Sequence, residues 1–298
     1  MTERTIGSNL TESTRSSEQQ PQRKASFNDI YNAPHPGPYF STLKPLDYRI
    51  PHFAQPVIQR LVNELRQLRG RNRITILDLC AGYGVNGALL KYDISLDQIY
   101  QMYDSGKART AEGDRAALAS RCREDSEAVR VIGQDVASRA LAYAKAAGFL
   151  DETLHVNLEE KDLTEAQEDL IAETDLVTIT GGLSYIGEAT LLRVFGALHR
   201  PPWVLYYPLR GSETDTVNDA LCEAGLRPER WHKPLPQRRF ANDMERRNAF
   251  GITDLDTDGL GPASSTFHQA VLYLARPVKE ARKAPFAALV TGFSTPLA

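Results

Sequence analysis

A short apolar run followed at once by closely spaced glycines constrains this chain more than any other stretch. Residues 74–79 are apolar and partly β-branched, which predicts a buried strand. Gly82, Gly84 and Gly87 follow, and residues 88–90 can begin a packed helix. Because glycine lets the backbone approach a ligand closely, the stretch predicts a strand, a ligand-binding turn and a helix.

Asp78 narrows the choice of ligand for that turn. The spacing Gly82-x-Gly84-x-x-Gly87 also fits the dinucleotide fingerprint. A carboxylate at the end of the strand repels a pyrophosphate, whereas it can receive an ammonium group. S-adenosylmethionine carries such an ammonium group and is therefore favoured. A nicotinamide dehydrogenase, with Asp104 near the spacing of a ribose-binding acid, is the weaker alternative.

The run Leu77-Asp-Leu-Cys-Ala-Gly-Tyr-Gly84 resembles motif I of the class I S-adenosylmethionine-dependent methyltransferases. Cys80 stands where many members have another glycine, and a small residue suffices there. The resemblance implies S-adenosyl-L-methionine as the cofactor. It also implies that Asp78, Cys80, Gly82 and Gly84 lie on the methionine and backbone side of the cofactor.

Two further predicted strands end in candidate binding residues. Residues 128–135 form a strand that ends in Asp135, which the resemblance assigns to the ribose hydroxyls; the alternative is an N-cap for the helix predicted over 136–147. Residues 154–160 predict a third strand. The resemblance places Asn157 and Leu158 near adenine, and ordinary polarity at a strand end is the alternative.

A fourth strand is predicted within residues 175–186, with a glycine-containing loop. Ligands of a doubly wound sheet lie beyond the carboxyl ends of the strands, so Thr180, Gly181 and Tyr185 should face the transferred group. Tyr185 can place its ring against a sulfonium cation, or it can be a loop aromatic that covers the core.

The remaining βα units predict the architecture. Strands within residues 202–209, 226–232 and 267–275 complete a Rossmann-like, doubly wound, seven-stranded α/β sheet with helices on both faces, as in the resembled family. We expect a catalytic domain over 71–277, with an insertion at about 91–127, and a C-terminal tail over 278–298.

The N-terminal region divides at Phe27. Residues 1–26 contain no aromatic residue and are predicted to be a disordered tail. Residues 27–70 are predicted to form a lid, which includes Tyr31, and a leading helix that Gly70 ends. The alternative hypothesis is that this segment is a structural N-terminal arm rather than a lid.

Bulk properties restrict the partners. A net charge of −3 gives no global attraction to nucleic acid, and no apolar run approaches the length of a membrane span. Three unpaired cysteines suit a reducing cytoplasm, and six scattered histidines predict no metal site. We expect a cytoplasmic protein with a small-molecule substrate; the oligomeric state stays open.

The arginines of residues 227–247 are interpreted as a solvated helix face, with a carboxylate-bearing substrate as the alternative.

The leading functional hypothesis is methyl transfer to a small metabolite. Tyr31 and Tyr185 are the candidate catalytic residues, and His52 and Asp47 are further possible bases. One alternative is cyclisation of S-adenosylmethionine to azetidine-2-carboxylate and methylthioadenosine, and another is a non-catalytic S-adenosylmethionine-binding regulatory protein. The chain also resembles a bacterial branch of the family that is associated with specialised metabolism. The residues that carry this resemblance are 27–34, 46–48, 79–84, 180–182, 237–240 and 245–247.

Overall fold

The computed structural model describes residues 28–104, 109–250 and 266–290. The predicted tail over 1–26 lies outside these residues, as do Phe27, four residues of the predicted insertion and residues 291–298. Within the described ranges, no helix is long and apolar enough to cross a membrane.

In the described part of the chain, seven strands form one sheet in the order β3-β2-β1-β4-β5-β7-β6. The first five are parallel, and β7 runs antiparallel to both β5 and β6. The predicted seven-stranded doubly wound sheet is confirmed. The strands are β1 Ile74–Leu79, β2 Val129–Asp135, β3 Glu152–His155, β4 Leu176–Ile179, β5 Trp203–Tyr206, β6 Leu226–Arg239 and β7 Phe267–Pro277.

Helices cover both faces of the sheet because alternate strand side chains point to opposite sides. Ile74 and Ile76 belong to one buried cluster, whereas Leu77 and Leu79 belong to the other. The helices in the described residues are α1 Gly37–Leu43, α2 Ile50–Arg69, α3 Val85–Lys91, α4 Leu96–Asp104, α5 Ala111–Leu118, α6 Ser138–Ala146, α7 Glu165–Ile171, α8 Glu188–Ala197, α9 Asp215–Glu223, α10 Asp243–Phe250, α11 Val278–Lys283 and α12 Phe286–Val290.

The segment before α2, which we call the cap (residues 28–49), packs on the carboxyl edge of the sheet. A short 3-10 helix, Asn28–Asn32, precedes α1. The Tyr83 hydroxyl donates to the carbonyl of Ala33 at 2.8 Å, and the Tyr31 and Tyr39 rings meet edge to face at 5.2 Å. The cap therefore lies directly over the glycine turn.

The predicted insertion supports the cap. The ring of Tyr103 on α4 stacks on Phe40 at 4.7 Å, and the Tyr100 hydroxyl donates to the carbonyl of Tyr48 at 3.0 Å. Behind this contact, the buried Asp114 carboxylate accepts hydrogen bonds from Tyr103 and Tyr143. Helix α4 thus fixes the position of the cap relative to the sheet.

Two predicted boundaries are corrected by the structure. Strand β3 ends at His155, so Asn157 and Leu158 lie in the loop that follows it. Strand β6 extends to Arg239, so most of the arginine-rich segment is strand rather than a solvated helix face. The extension arises because β6 pairs with β7 as far as the pair Arg239 and Phe267, through two register shifts.

Candidate active site

A cavity of about 460 Å³ opens at the carboxyl ends of the parallel strands. It lies where β1 separates β2 from β4, which is the switch point at which open α/β sheets bind ligands. The cap closes its other side through Tyr31, Tyr39 and Tyr48. The structure brings nine residues singled out in the sequence to its wall: Tyr31, Asp78, Cys80, Asp135, Asn157, Leu158, Thr180, Gly181 and Tyr185.

Asp78 lies at the floor of this cavity with 1% of its surface exposed. Its Oδ1 accepts a hydrogen bond from the Thr178 hydroxyl at 2.6 Å, and its two oxygens accept from Asn86 Nδ2 at 2.9 and 3.1 Å. Burial raises the pKa of Asp78 to about 6, although these hydrogen bonds oppose the rise. The carboxylate is therefore an acceptor whose charge depends on pH near neutrality.

Asn86, at the first turn of α3, adds a second acceptor beside Asp78. Its Nδ2 also donates to the Thr180 hydroxyl at 2.8 Å, which fixes the orientation of the amide. The Asn86 Oδ1 atom is buried and has no hydrogen-bond partner. Because an unsatisfied buried acceptor is costly, this atom favours a ligand donor in the cavity.

The glycine turn, residues 80–84, has an unusual backbone conformation, and only part of it lines the cavity. Cys80, Gly82 and Gly84 all have positive φ, at 56°, 51° and 71°. A side chain on Gly84 would meet Ala144 and Leu150, and neither Gly82 nor Gly84 lines the cavity. The predicted cofactor contacts of Gly82 and Gly84 stay predictions, and close packing of the turn against the α6 region gives Gly84 a structural role as well.

The backbone N–H groups of this turn are engaged within the protein. Cys80 N–H donates to Gln134 Oε1, Ala81 N–H donates to the Gln134 carbonyl at 2.9 Å, and Gly82 N–H donates to Asp135 Oδ2 at 2.8 Å. A phosphate-binding turn needs such groups free to face the ligand. Their engagement argues against pyrophosphate binding here.

Asp135 ends β2 and borders the cavity. Its Oδ1 accepts from Ala137 N–H at 2.8 Å, and its Oδ2 accepts from Gly82 N–H. The N-cap of α6 is Ala137, so the alternative reading of Asp135 as that N-cap is wrong. Each carboxylate oxygen has two lone pairs, which leaves acceptor capacity toward the cavity.

The loops after β3 and β4 supply the other walls. Asn157 and Leu158 line the cavity on the β3 side together with Glu159, which accepts from Gly187 N–H at 2.7 Å. On the β4 side, the Tyr48 hydroxyl donates to the Thr180 carbonyl at 2.7 Å. A Cβ on Gly181 would lie 2.4 Å from that hydroxyl, so the close approach of the cap requires glycine.

The two candidate catalytic tyrosines occupy different parts of the site. Tyr31 belongs to the cap and packs beside Gly82, and Tyr185 is 58% exposed at the cavity wall. Burial raises the pKa of both hydroxyls, so each is protonated at neutral pH and can donate a hydrogen bond. Asp47 and His52 do not line the cavity, and Asp47 pairs with Arg49 at 2.5 Å.

Arg238 enters the cavity wall from the end of β6, where the preferred interpretation of a solvated helix face did not place it. It is 1% exposed, and its Nη1 and Nη2 donate to Glu245 at 3.0 and 2.5 Å. The interpretation of the arginine cluster as a solvated face is therefore wrong for this residue. Within the described residues, no group of His, Cys, Asp and Glu could hold a metal ion.

No protein-family model and no curated protein sequence matches this chain. Similar solved structures include a TehB-like SAM-dependent methyltransferase from Corynebacterium glutamicum, with 14% identity over 71% of this chain and 85% of that chain and a TM-score of 0.37. They also include magnesium protoporphyrin IX methyltransferase from Synechocystis, with 10% identity, coverages of 76% and 81% and a TM-score of 0.36. N-methyltransferase NodS from Bradyrhizobium japonicum has 13% identity, coverages of 74% and 97% and a TM-score of 0.34. At this distance, any assignment of function rests on the residues of the cavity itself.

The residues that sequence reasoning missed are those positioned by contacts distant along the chain. Asn86 had a local signal, because it lies two residues after Gly84, in the first turn of α3. Tyr48 and Arg238 lie in stretches that carry the resemblance, but no local pattern placed their side chains in the wall, since that depends on how the cap and β6 meet.

Proposed function

We propose that this protein is an S-adenosylmethionine-dependent methyltransferase that acts on a small metabolite, as part of specialised metabolism. The observation that carries the proposal is the pair of buried acceptors, Asp78 and the unpartnered Asn86 Oδ1, at the β1 switch point. Together they offer an ammonium group two acceptors. The neighbouring Asp135 provides a third acceptor within the same cavity.

The wall of the cavity fits the parts of this cofactor. Asp78 and Asn86 would hold the amino group, and Asp135 would accept from the ribose hydroxyls with its orientation fixed by two backbone N–H groups. Asn157 and Leu158 would face the adenine. A volume of about 460 Å³ lies within the range of small-molecule sites.

When bound, the cofactor supplies an electrophilic methyl group on a sulfonium sulfur. The protein's share of the chemistry is then to orient the acceptor and to exclude water, which proximity and a dry site make effective. Tyr31 and the rest of the cap would cover the reacting groups, and the exposed Tyr185 would contact the acceptor at the entrance. Their protonated hydroxyls suit them to orient a substrate rather than to take its proton.

A second candidate is intramolecular cyclisation of S-adenosylmethionine, and the buried Asp78 carboxylate beside the unpartnered Asn86 Oδ1 favours it. In that reaction the α-amino nitrogen bonds to the γ-carbon as the carbon–sulfur bond breaks, which releases methylthioadenosine. The ammonium must first lose a proton. Burial raises the pKa of Asp78, so with the ammonium bound it is a better proton acceptor than an exposed aspartate with the same partner.

Incubation of the purified full chain with S-adenosylmethionine, followed by mass spectrometry of the nucleosides, tests both candidates. Release of methylthioadenosine without any acceptor supports cyclisation. S-adenosylhomocysteine that forms only after addition of metabolite extracts supports methyl transfer. Tight binding without product would support a regulatory binding protein, and the absence of both binding and product would refute the use of this cofactor.

A further inference from the structure

Arg238 brings a buried positive charge to the cap side of the cavity. The main chain around it is fixed by the cap, because Arg49 N–H donates to the Gln237 carbonyl at 2.8 Å and Arg239 N–H donates to the Leu46 carbonyl at 2.6 Å. The guanidinium group is thereby held in the wall that the cap contributes. Among the described lining residues, Arg238 bears the only cationic side chain.

The acidic groups of the cavity lie on the other strands. Asp78, Asp135 and Glu159 line the wall at or just beyond the ends of β1, β2 and β3, whereas Arg238 comes from β6 at the far side of the sheet order. Such a separation of charge suits a ligand with cationic and anionic groups at different places. It leaves Arg238 as the complement of the anionic group.

The backbone N–H groups of Cys80, Ala81 and Gly82 in the glycine turn are not available to bind that anionic group. The N–H groups of Cys80, Ala81 and Gly82 already donate to Gln134 and Asp135. A ligand carboxylate would therefore find no free donor at those three positions. The carboxylates of Asp78 and Asp135 would also repel it.

The ion pair with Glu245 explains how the guanidinium is oriented. Two donors of Arg238 meet the two carboxylate oxygens of Glu245, and Nη1 also donates to the Arg239 carbonyl at 2.8 Å. A buried pair is costly to desolvate, so stability alone gives little reason for this one. Arg276 is also fully buried and pairs with the partly buried Glu229, but it lies outside the cavity wall.

We propose that Arg238 binds a carboxylate of the molecule held in the cavity. The proposal deepens the proposed function and rests on it. Two sources share this chemistry: the methionine carboxylate of S-adenosylmethionine and a carboxylate on the methyl acceptor. In either case Glu245 positions the guanidinium group.

The first arm of the test uses calorimetry to measure the binding of S-adenosylhomocysteine and of decarboxylated S-adenosylmethionine. The variant Arg238→Met with Glu245→Gln removes the pair, and Arg276→Met with Glu229→Gln is the matched control for loss of a buried pair outside the cavity. If the cofactor is the source, the first variant weakens S-adenosylhomocysteine binding about tenfold or more and leaves decarboxylated S-adenosylmethionine unchanged. The control variant keeps wild-type affinity for both.

The second arm measures small carboxylates and their neutral amides, with benzoate and benzamide as the first pair. It uses the protein both free and saturated with S-adenosylhomocysteine. If the acceptor is the source, the wild type prefers the carboxylate about tenfold and the Arg238 variant loses that preference. Arg238→Lys should restore part of it, because the charge remains while the planar fork is lost.

The proposal is overturned if neither arm depends on Arg238, or if the Arg238 and Arg276 variants lose affinity equally. Urea unfolding of each variant shows whether loss of binding reflects loss of fold. Failure of the proposed function has a different signature. In that case the wild type itself binds no S-adenosylhomocysteine, while the carboxylate preference of the free protein still reports on Arg238.

Discussion

Replacement of Asp78 by asparagine should change how the stability of the protein depends on pH. The wild-type carboxyl is buried, and burial raises its pKa from 3.8 to about 6. The folded state therefore binds a proton that the unfolded state releases over that interval. Stability from this group is fully present below about pH 4 and is lost as the pH rises through about 6. Asparagine cannot titrate, so the variant lacks this loss.

The magnitude follows from the shift. A rise of about two pKa units corresponds to about 3 kcal/mol, of which about 2 kcal/mol falls between about pH 4.5 and about pH 7.5. The hydrogen bonds from Thr178 and Asn86 also change in the variant, but that contribution does not vary with pH. The difference in free energy of unfolding between the two proteins therefore changes with pH only through the titration of Asp78.

Urea unfolding of wild type and Asp78→Asn across this interval provides the measurement. The free energy of unfolding of the wild type should fall relative to the variant by about 2 kcal/mol as the pH rises. A difference that stays constant would show that the Asp78 pKa is not raised. A difference of opposite slope would show that the hydrogen bonds outweigh burial.

Three other predictions concern ligand binding and the cap. S-adenosylhomocysteine should release a proton when it binds near pH 6, because its ammonium group lowers the pKa of Asp78; calorimetry in two buffers of different ionisation enthalpy measures this, and zero proton release would contradict it. Asp135→Ala should weaken that binding about tenfold or more, whereas unchanged affinity would exclude the ribose contact. Gly181→Ala should lose more than about 1 kcal/mol of stability, because its Cβ meets the Tyr48 hydroxyl at 2.4 Å and its φ is 151°. Tyr48→Phe in the same chain should recover part of that loss in urea unfolding, and no recovery would place the strain elsewhere.

The sheet was predictable because its signals are local. Each βα unit has a short apolar run for the strand, a polar or glycine-containing end and a helix with one apolar face. This pattern repeats along the chain. The positions of Asp78 and Asp135 follow directly, since Asp78 is the second-last residue of β1, Asp135 is the last residue of β2, and the carboxyl ends of parallel strands share one edge. Asn157 and Leu158 reached the same edge even though their strand ended earlier than expected.

The cap side of the cavity was not predictable in this way. Tyr48 lies in the wall because its hydroxyl reaches Thr180, which is far away in the sequence. Arg238 belongs to a segment whose composition is typical of a solvated surface, and only its pairing with β7 and the cap buries it. Gly84 matched a binding motif, and its packing against Ala144 is a second reason for glycine that the motif did not reveal. Contacts between distant segments decided all three residues.

Titration of the purified full chain with S-adenosylhomocysteine tests the central claim most directly, with NAD as the matched alternative ligand. The account predicts saturable binding of S-adenosylhomocysteine at one site per chain, lost or strongly weakened in Asp135→Ala, and no binding of NAD. Binding of NAD, or no binding of S-adenosylhomocysteine to the wild type, would contradict it.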